Sequence, residues 1–364
     1  MDAVTTAPGD TAIWTMPDFD EHERIEIVHD RASGLTAIIA LHSTHLGPGA
    51  GGTRFWHYAQ PQGAMRDALR LSRGMSYKNA LAGLPLGGGK AVVLLDEQRT
   101  RTPEMLAAFG DAVEALAGAY VTAEDVGASE ADMEAIHQRT EHVCGLPVAE
   151  GQAGGDPGPY TAQGIFLGIK AAVAHRLGRT DMDGVRVAVQ GCGSVGGGVA
   201  RRLAGEGAQV TLADIDQAKA EALAAELGGT AVPAAEIMQV SCDVFSPNAL
   251  GAILDDVSIP KLDCAIVAGG ANNQLTRAAH GELLRDRGIL YAPDYVINAG
   301  GIINVGMEYL ARRAGETCSA STVMERIGGI GSTLTAIWQE SERSGAGAHE
   351  VADRMARKAI GRGE

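Results

Sequence analysis

The segment VRVAVQGCGSVGGGVARRLAGEGAQVTLAD, residues 185–214, leaves this chain few ways to fold. An apolar strand runs into Gly191-Cys192-Gly193-Ser194-Val195-Gly196-Gly197, a helical stretch follows, and a second apolar strand ends at Asp214. Strand, tight turn, helix and strand in about 30 residues make a βαβ unit, whose strands are parallel and whose crossover is right-handed. The G-x-G-x-x-G spacing alone would be weak in a chain with 49 glycines. Its context argues against a glycine turn that binds nothing. Gly191 permits the tight turn, Gly193 lets backbone approach a pyrophosphate, and Gly196 lets helix and strand pack closely. The helix N-terminus then offers free N–H groups and a positive dipole end to the phosphates. Asp214 lies 18 residues beyond Gly196, where a carboxylate can accept hydrogen bonds from ribose hydroxyls. It would repel a 2′-phosphate, and no Arg follows it closely, which favours NAD over NADP.

The rest of the chain extends this pattern in both directions. CDVFSP, DCAIVAGG and GILYAPD read as further strands of the same sheet, short, apolar and bounded by Gly, Pro or Asp, as strands covered on both faces are. Upstream, RIEIVHD and GLTAIIALHST read as strands around a turn, Pro61 to Ala82 as a helix, KAVVLLD as a buried strand, and AYVTAEDVG as another ending in two carboxylates. Thr102-Pro103 opens a further helix, with Thr102 as its N-cap. The Gly- and Pro-dense run GQAGGDPGPY, 151–160, marks a boundary or hinge. The expected architecture is α/β with two domains and a cleft between them. Residues 1–150 form an α/β substrate and oligomerisation domain, and residues 151–334 a Rossmann-type doubly wound dinucleotide domain. The helical stretch 335–364 is free to pack back on the first.

Several function classes drop out. A net charge of −15 with 4% aromatic residues is wrong for nucleic acid, whose phosphates need clustered Lys and Arg. No apolar run reaches the length of a membrane helix, and the start MDAVTTAPGDTAIW lacks a secretory pattern, so a cytoplasmic location is expected. Five cysteines without C-x-x-C read as reduced, mostly buried side chains. His42 and His45 lack the acidic or thiol neighbours of a metal site, so no metal is expected. His57 reads as a structural histidine. Glu130, Asp132 and Glu134 read as a solvated helix face, and Asp216 as a helix cap.

Two lysines remain, Lys78 and Lys90, flanking NALAGLPLGGG. A phosphate loop fails on count. G-x-x-x-x-G-K-[ST] would need glycine where the chain has Leu84, and a hydroxyl where it has Ala91. The alternative is a pocket for a carboxylate and a proton transfer. Lys90, at the start of an apolar strand, would be desolvated, and a second cation nearby would lower its proton affinity further, making it a base. Lys78 would stay charged and hold an anionic group. Asp125 supplies a carboxylate to relay a proton, with Glu124 on the opposite side of its strand. Solvated surface lysines are the plain alternative.

GPGAGGTRFW, ALRLSRGMSYKNALAGLPLGGGKAVV, YVTAEDVG, CDVFSPNALG, AGGANNQL and APDYVINAGGIINV, spread over residues 20 to 340 and in order, together resemble the glutamate/leucine/phenylalanine/valine dehydrogenase family, with the leucine and valine enzymes nearest in look. The resemblance implies that Lys78 binds the substrate α-carboxylate, Lys90 activates the water that attacks an imine, and Asp125 moves protons to and from the amino group. It implies that Gly51 and Gly52 contact the carboxylate through backbone. Thr161 and Asn272 would help place the nicotinamide and the carboxylate. The implied reaction is NAD-dependent, reversible oxidative deamination of an L-amino acid to the 2-oxo acid and ammonia, in a homo-oligomer, with closure about 151–160 controlling water.

In glutamate-specific relatives a lysine precedes the Gly-Gly-x-Arg motif. Here it is Ala50, so an acidic side chain would be buried without a partner and an aliphatic substrate (leucine, valine or isoleucine) is expected. The resemblance suggests a side-chain pocket of Ala50, Ala123, Ile302 and Val305. Leucine-specific relatives usually carry Leu at Ala50, so the pocket is enlarged, and phenylalanine or a broad aromatic range is the alternative. Gly270 departs from the Ser that relatives often carry. Outside this class stand an NAD-binding regulator without catalysis, against which Lys78, Lys90 and Asp125 argue, and the weakened phosphotransferase reading.

Overall fold

The computed structural model describes residues 12–98, 100–249 and 251–363. Most of the amino-terminal run MDAVTTAPGDTAIW lies outside them. The chain divides into two compact units. The first holds the described residues up to 80 with Pro85–Leu146; the second holds Leu81–Leu84 and Pro147 onward.

In the first unit, β1 (Arg24–Asp30) and β2 (Leu35–Ser43) form an antiparallel hairpin. Then come β3 (Gly49–Ala50), β4 (Thr53–Trp56), α1 (Pro61–Leu81), β5 (Gly87–Leu94), α2 (Pro103–Glu114), β6 (Tyr120–Val121) and α3 (Glu130–His137). The sheet order is β1-β2-β5-β3-β6, with β4 also paired to β5. Strand alternation sorts side chains to two faces. Ala91 and Val93 of β5 join Phe55, Phe109, Val113, Met133 and Ile136 in the core under α2 and α3. Val92 joins Ile38, Ala40, Ala64 and Ala68 under α1. Lys90, two residues before Val92, therefore points to the α1 side. Phe55 and Phe109 meet edge to face at 6.1 Å, a geometry that adds about 0.5–1.5 kcal/mol beyond buried area.

Thr102 caps α2 as its sequence suggested, accepting from the Met105 N–H at 3.2 Å. Two expectations change. β5 starts at Gly87, not at Lys90, so the three glycines are strand. Close backbone approach explains them: a Cβ on Gly88 would lie 2.1 Å from the Ser76 nitrogen, inside α1. Asp132 is buried, not solvated. Its carboxylate completes a capping box with Ser129 and pairs with Arg101 at 2.7 Å.

The second unit contains α4 (Gly158–Leu177), β7 (Arg186–Gln190), α5 (Ser194–Gly205), β8 (Gln209–Ala213), α6 (Gln217–Leu227), β9 (Thr230–Ala231), β10 (Val244–Pro247), β11 (Ile266–Val267), α7 (Ala279–Asp286) and β12 (Leu290–Tyr291). After these come α8 (Asp294–Ile297), α9 (Gly300–Arg313), α10 (Ala320–Ile327), α11 (Gly329–Ser344) and α12 (Ala348–Ala359). All pairs in its sheet are parallel, in the order β12-β11-β10-β7-β8-β9. This is the doubly wound order with its switch point between β7 and β10, where such sheets bind ligands. The last two helices, left free by the sequence to return to the first unit, group with the second. Trp338 of α11 is buried there, and its indole N–H donates to the Tyr291 carbonyl at 2.9 Å. Among the described residues, no helix is long and apolar enough to cross a membrane.

Candidate active site

Lys90 is 5% exposed. The alternation that sends Val93 into one core sends Lys90 to the opposite face, where its Nζ lies 2.8 Å from Oδ2 of Asp125. Asp125 follows β6, near the point where Glu124 bridges to Thr53 of β4. The same Oδ2 accepts from Nε of Arg54 at 3.0 Å. Burial lowers the proton affinity of Lys90, the Asp125 charge works against it, and Arg54 adds to the lowering, with a net shift below the ordinary lysine value. For Asp125, burial pushes upward, but Lys90 and Arg54 outweigh it and hold the carboxyl at about 2. The pair is thus a lysine inclined to lose its proton beside a carboxylate that stays ionised.

One cation acting on Lys90 is Arg54, a residue to which the sequence alone assigns no role. Arg54 Nη1 binds Asp67 of α1 at 2.7 Å, and Asp67 also accepts from Tyr58 at 2.8 Å and Arg70 at 2.9 Å. A signal existed: Asp67 interrupts the buried stripe of Ala64 and Ala68 on α1, and a carboxylate there needs a partner. Lys78 is half-buried in the last turn of α1. The next residue, Asn79, ties that turn to β5 by donating to the Gly87 carbonyl at 2.5 Å.

Gly51 is committed within the sheet. Its N–H donates to Val121 at 3.1 Å, and its carbonyl accepts from Tyr120 at 2.7 Å. Ala50 and Ala123 are buried in the first unit; Ile302, half-buried, and Val305, buried, lie on α9 of the second. His42 is buried, bonded to Ser76 at 2.8 Å and Asp20 at 3.2 Å. His57 bonds the Leu95 carbonyl.

In the second unit, Gly191 has φ +92, and a Cβ on Gly196 would lie 1.9 Å from the Gly191 oxygen, so turn and helix fit only as glycine. A Cβ on Gly193 would meet nothing within 4 Å, which leaves the space a pyrophosphate needs at the start of α5. Asp214 follows β8. Its Oδ2 accepts from the Cys192 N–H at 2.7 Å and its Oδ1 from Asp216 at 3.0 Å, and these backbone donors hold it below the usual carboxylate range. The Cys192 thiol, pushed up to about 11 by burial, is no nucleophile. Asp216 caps α6. Thr161, in the first turn of α4, lies against α9, where a Cβ on Gly301 would be 2.6 Å from its Oγ1. Asn272 accepts from Asn298 at 2.8 Å. Asn298, which lies in the run APDYVINAGGIINV and to which the sequence alone assigns no role, also donates to the Gly270 carbonyl at 3.0 Å and keeps a buried Oδ1 without a partner. The residues present fit a dinucleotide.

Gly270 has a packing reason. A Cβ there would lie 2.3 Å from Cδ1 of the fully buried Ile165. Gly270→Ser is expected to cost about 1–3 kcal/mol, read as a lower denaturation midpoint. Ile165→Val, which removes Cδ1, should recover much of it. A double variant no more stable than Gly270→Ser would refute this account.

The sequence pattern described as "Glu/Leu/Phe/Val dehydrogenase, dimerisation domain" matches residues 22–142, and that described as "Glutamate/Leucine/Phenylalanine/Valine dehydrogenase" matches residues 211–362. The chain is 43% identical to a leucine dehydrogenase of Thermoactinomyces intermedius over 93% of this chain and 91% of that one. It is 42% identical to a valine dehydrogenase of Streptomyces virginiae over 92% of each. The crystal structure of L-tryptophan dehydrogenase from Nostoc punctiforme superposes with a TM-score of 0.82 at 40% identity, covering 93% of this chain and 96% of that one.

Proposed function

This chain belongs to the Glu/Leu/Phe/Val dehydrogenase family, and from that premise we infer that it catalyses the oxidative deamination of an aliphatic L-amino acid to the 2-oxo acid and ammonia. The observation that carries the reading is the buried Lys90–Asp125 pair at 2.8 Å, with its lysine inclined to lose a proton. In this reading Lys78 stays charged and holds the substrate carboxylate, with Gly52 beside it. Neutral Lys90 takes a proton from water as the water oxygen adds to the substrate's imine carbon. Asp125, bonded to Lys90, passes protons between that lysine and the amino group, so that nitrogen leaves as ammonia. Gly191–Gly197, Asp214, Thr161 and Asn272 would hold NAD, and Asn298 is a further candidate there. NAD supplies the acceptor for the hydride leaving the substrate Cα.

The purified chain, given NAD and a panel of L-amino acids, is expected to form NADH with leucine, valine and isoleucine. No NADH with any amino acid would refute the reading. Ala50 supports a second reading, tolerance of larger side chains, and a tryptophan dehydrogenase stands among the similar proteins. Ala50→Leu is expected to raise the kcat/KM ratio of leucine over phenylalanine by about 10-fold or more, since a methylene is worth about 1–3 kcal/mol in such pockets. An unchanged ratio would remove Ala50 from the pocket.

A homo-oligomer is part of the reading. Among the described residues β1 has β2 as its one sheet neighbour, Ile27 on it is 60% exposed, and both fall in the stretch whose pattern is described as a dimerisation domain.

A further inference from the structure

Asp125 holds two cations on one oxygen. Lys90 Nζ and Arg54 Nε both lie against Oδ2, at 2.8 and 3.0 Å, and Oδ1 accepts neither. Arg54 reaches β4's α1 side because it alternates with Thr53 and Phe55, both fully buried. Its planar fork bonds in two directions at once, Nε to Asp125 and Nη1 to Asp67. A lysine could not make both bonds in fixed geometry. Asp67 in turn takes Arg54 and Tyr58 on Oδ2 and Arg70 on Oδ1. These contacts run from β5 through Asp125, four residues beyond the end of β6, and β4 to α1, all within the first unit.

We propose that Arg54 is a positioning residue for the reaction. It pins Oδ2 of Asp125 beside Lys90, so that Oδ1 is the oxygen presented to the substrate amino group, and Asp67, braced by Tyr58 and Arg70, pins Arg54. This rests on the reading of Lys90 and Asp125 as the proton-transfer pair. Among the charges acting on Lys90 are those of Asp125, Arg54 and Asp67. Arg54 lowers its proton affinity and Asp67 raises it, so removing each has opposite consequences. Without the Arg54 charge Lys90 holds its proton to higher pH. Without the Asp67 charge it loses the proton at lower pH.

The test is kcat and KM for leucine oxidation against pH in the full chain and in Arg54→Gln, Arg54→Lys and Asp67→Asn. Arg54→Gln is expected to lower kcat by about 10- to 100-fold with KM changed less than about threefold. The acid limb of its profile should move up by about half a unit or more, and that of Asp67→Asn should move down. Arg54→Lys keeps the charge, so its limb should stay near that of the parent while kcat recovers only in part. Limbs that stay put in both charge-removing variants, or move the same way, overturn the proposal. A raised KM with intact kcat in Arg54→Gln also overturns it, making Arg54 a substrate-binding group. Should Arg54→Gln not fold, Arg54→Lys and Asp67→Asn decide: an unmoved and a lowered limb support the proposal, and any other pattern refutes it. Full turnover in Lys90→Ala would instead remove the Lys90–Asp125 reading itself, whatever Arg54 does.

Discussion

Lys90→Ala is expected to reduce kcat for leucine oxidation by about 10²–10⁴-fold, the range a positioned acid–base group contributes, while NAD binding survives. The turn at Gly191–Gly197 proposed to hold the dinucleotide lies in the second unit, between β7 and the first turn of α5, and Lys90 lies in the first. Asp125 keeps Arg54 at 3.0 Å, so the lost lysine does not strand a buried charge. Lys90→Arg separates the two ways a lysine can act. Arginine preserves the positive charge beside Asp125 but does not give up its proton near neutral pH. If Lys90 works as a base, both variants are inactive. If it works only as a charge, Lys90→Arg retains substantial turnover and the base assignment fails. In the parent, burial and Arg54 bring Lys90 below its ordinary 10.5, so activity should rise with pH along a limb centred under that value. A limb at or above it would contradict the electrostatic account. Stopped turnover with lost NAD binding would point to a folding defect, which a denaturation midpoint distinguishes.

The doubly wound half of the fold was legible because its signals are local. Gly196 and Asp214 each answer to a neighbour within a single βαβ unit, Gly191 answers to its own φ of +92, and the strands around them are continuous apolar runs. In the first unit the hairpin of β1 and β2 was equally readable. Lys90 and Asp125 could be nominated from the sequence, but Arg54 could not be given its role. Its meaning depends on Asp67, 13 residues away on another element, and on Asp125, 71 residues away. Periodicity says which face a residue takes and is silent about which charges meet there. The bonds of Gly51 were illegible for a similar reason, since its N–H donates to Val121 and its carbonyl accepts from Tyr120, across a sheet whose order crosses the chain sequence. Gly87–Gly89 were misread because glycine disfavours strands on average. Here the packing of α1 and of neighbouring strands outweighs that preference.

That packing predicts a large stability effect in the first unit. Gly88→Ala would place a methyl 2.1 Å from the backbone nitrogen and Oγ of Ser76 and 2.4 Å from the Ser72 carbonyl. Two of these three atoms belong to the α1 backbone, so no rotamer change relieves the overlap, and the helix must move off β5. Overpacking of a tight core costs about 1–3 kcal/mol and occasionally more. A clash with helix backbone belongs at the upper end or beyond, against a total stability of about 5–15 kcal/mol. Gly74→Ala is the matched control. Gly74 lies on the same helix, and a Cβ there meets nothing within 4 Å. It should stabilise by about 0.5–1 kcal/mol through the better helix propensity of alanine. Chemical denaturation of both variants reads the two signs. A Gly88→Ala midpoint indistinguishable from the parent would mean that α1 has slack against β5. Since α1 carries Asp67 and Lys78 and β5 carries Lys90, Gly88→Ala should also lose turnover in whatever fraction stays folded. The three glycines thus set how closely the helix bearing one lysine approaches the strand bearing the other, and that approach lets Asp67 of α1 hold Arg54, and through it Asp125, in register with Lys90.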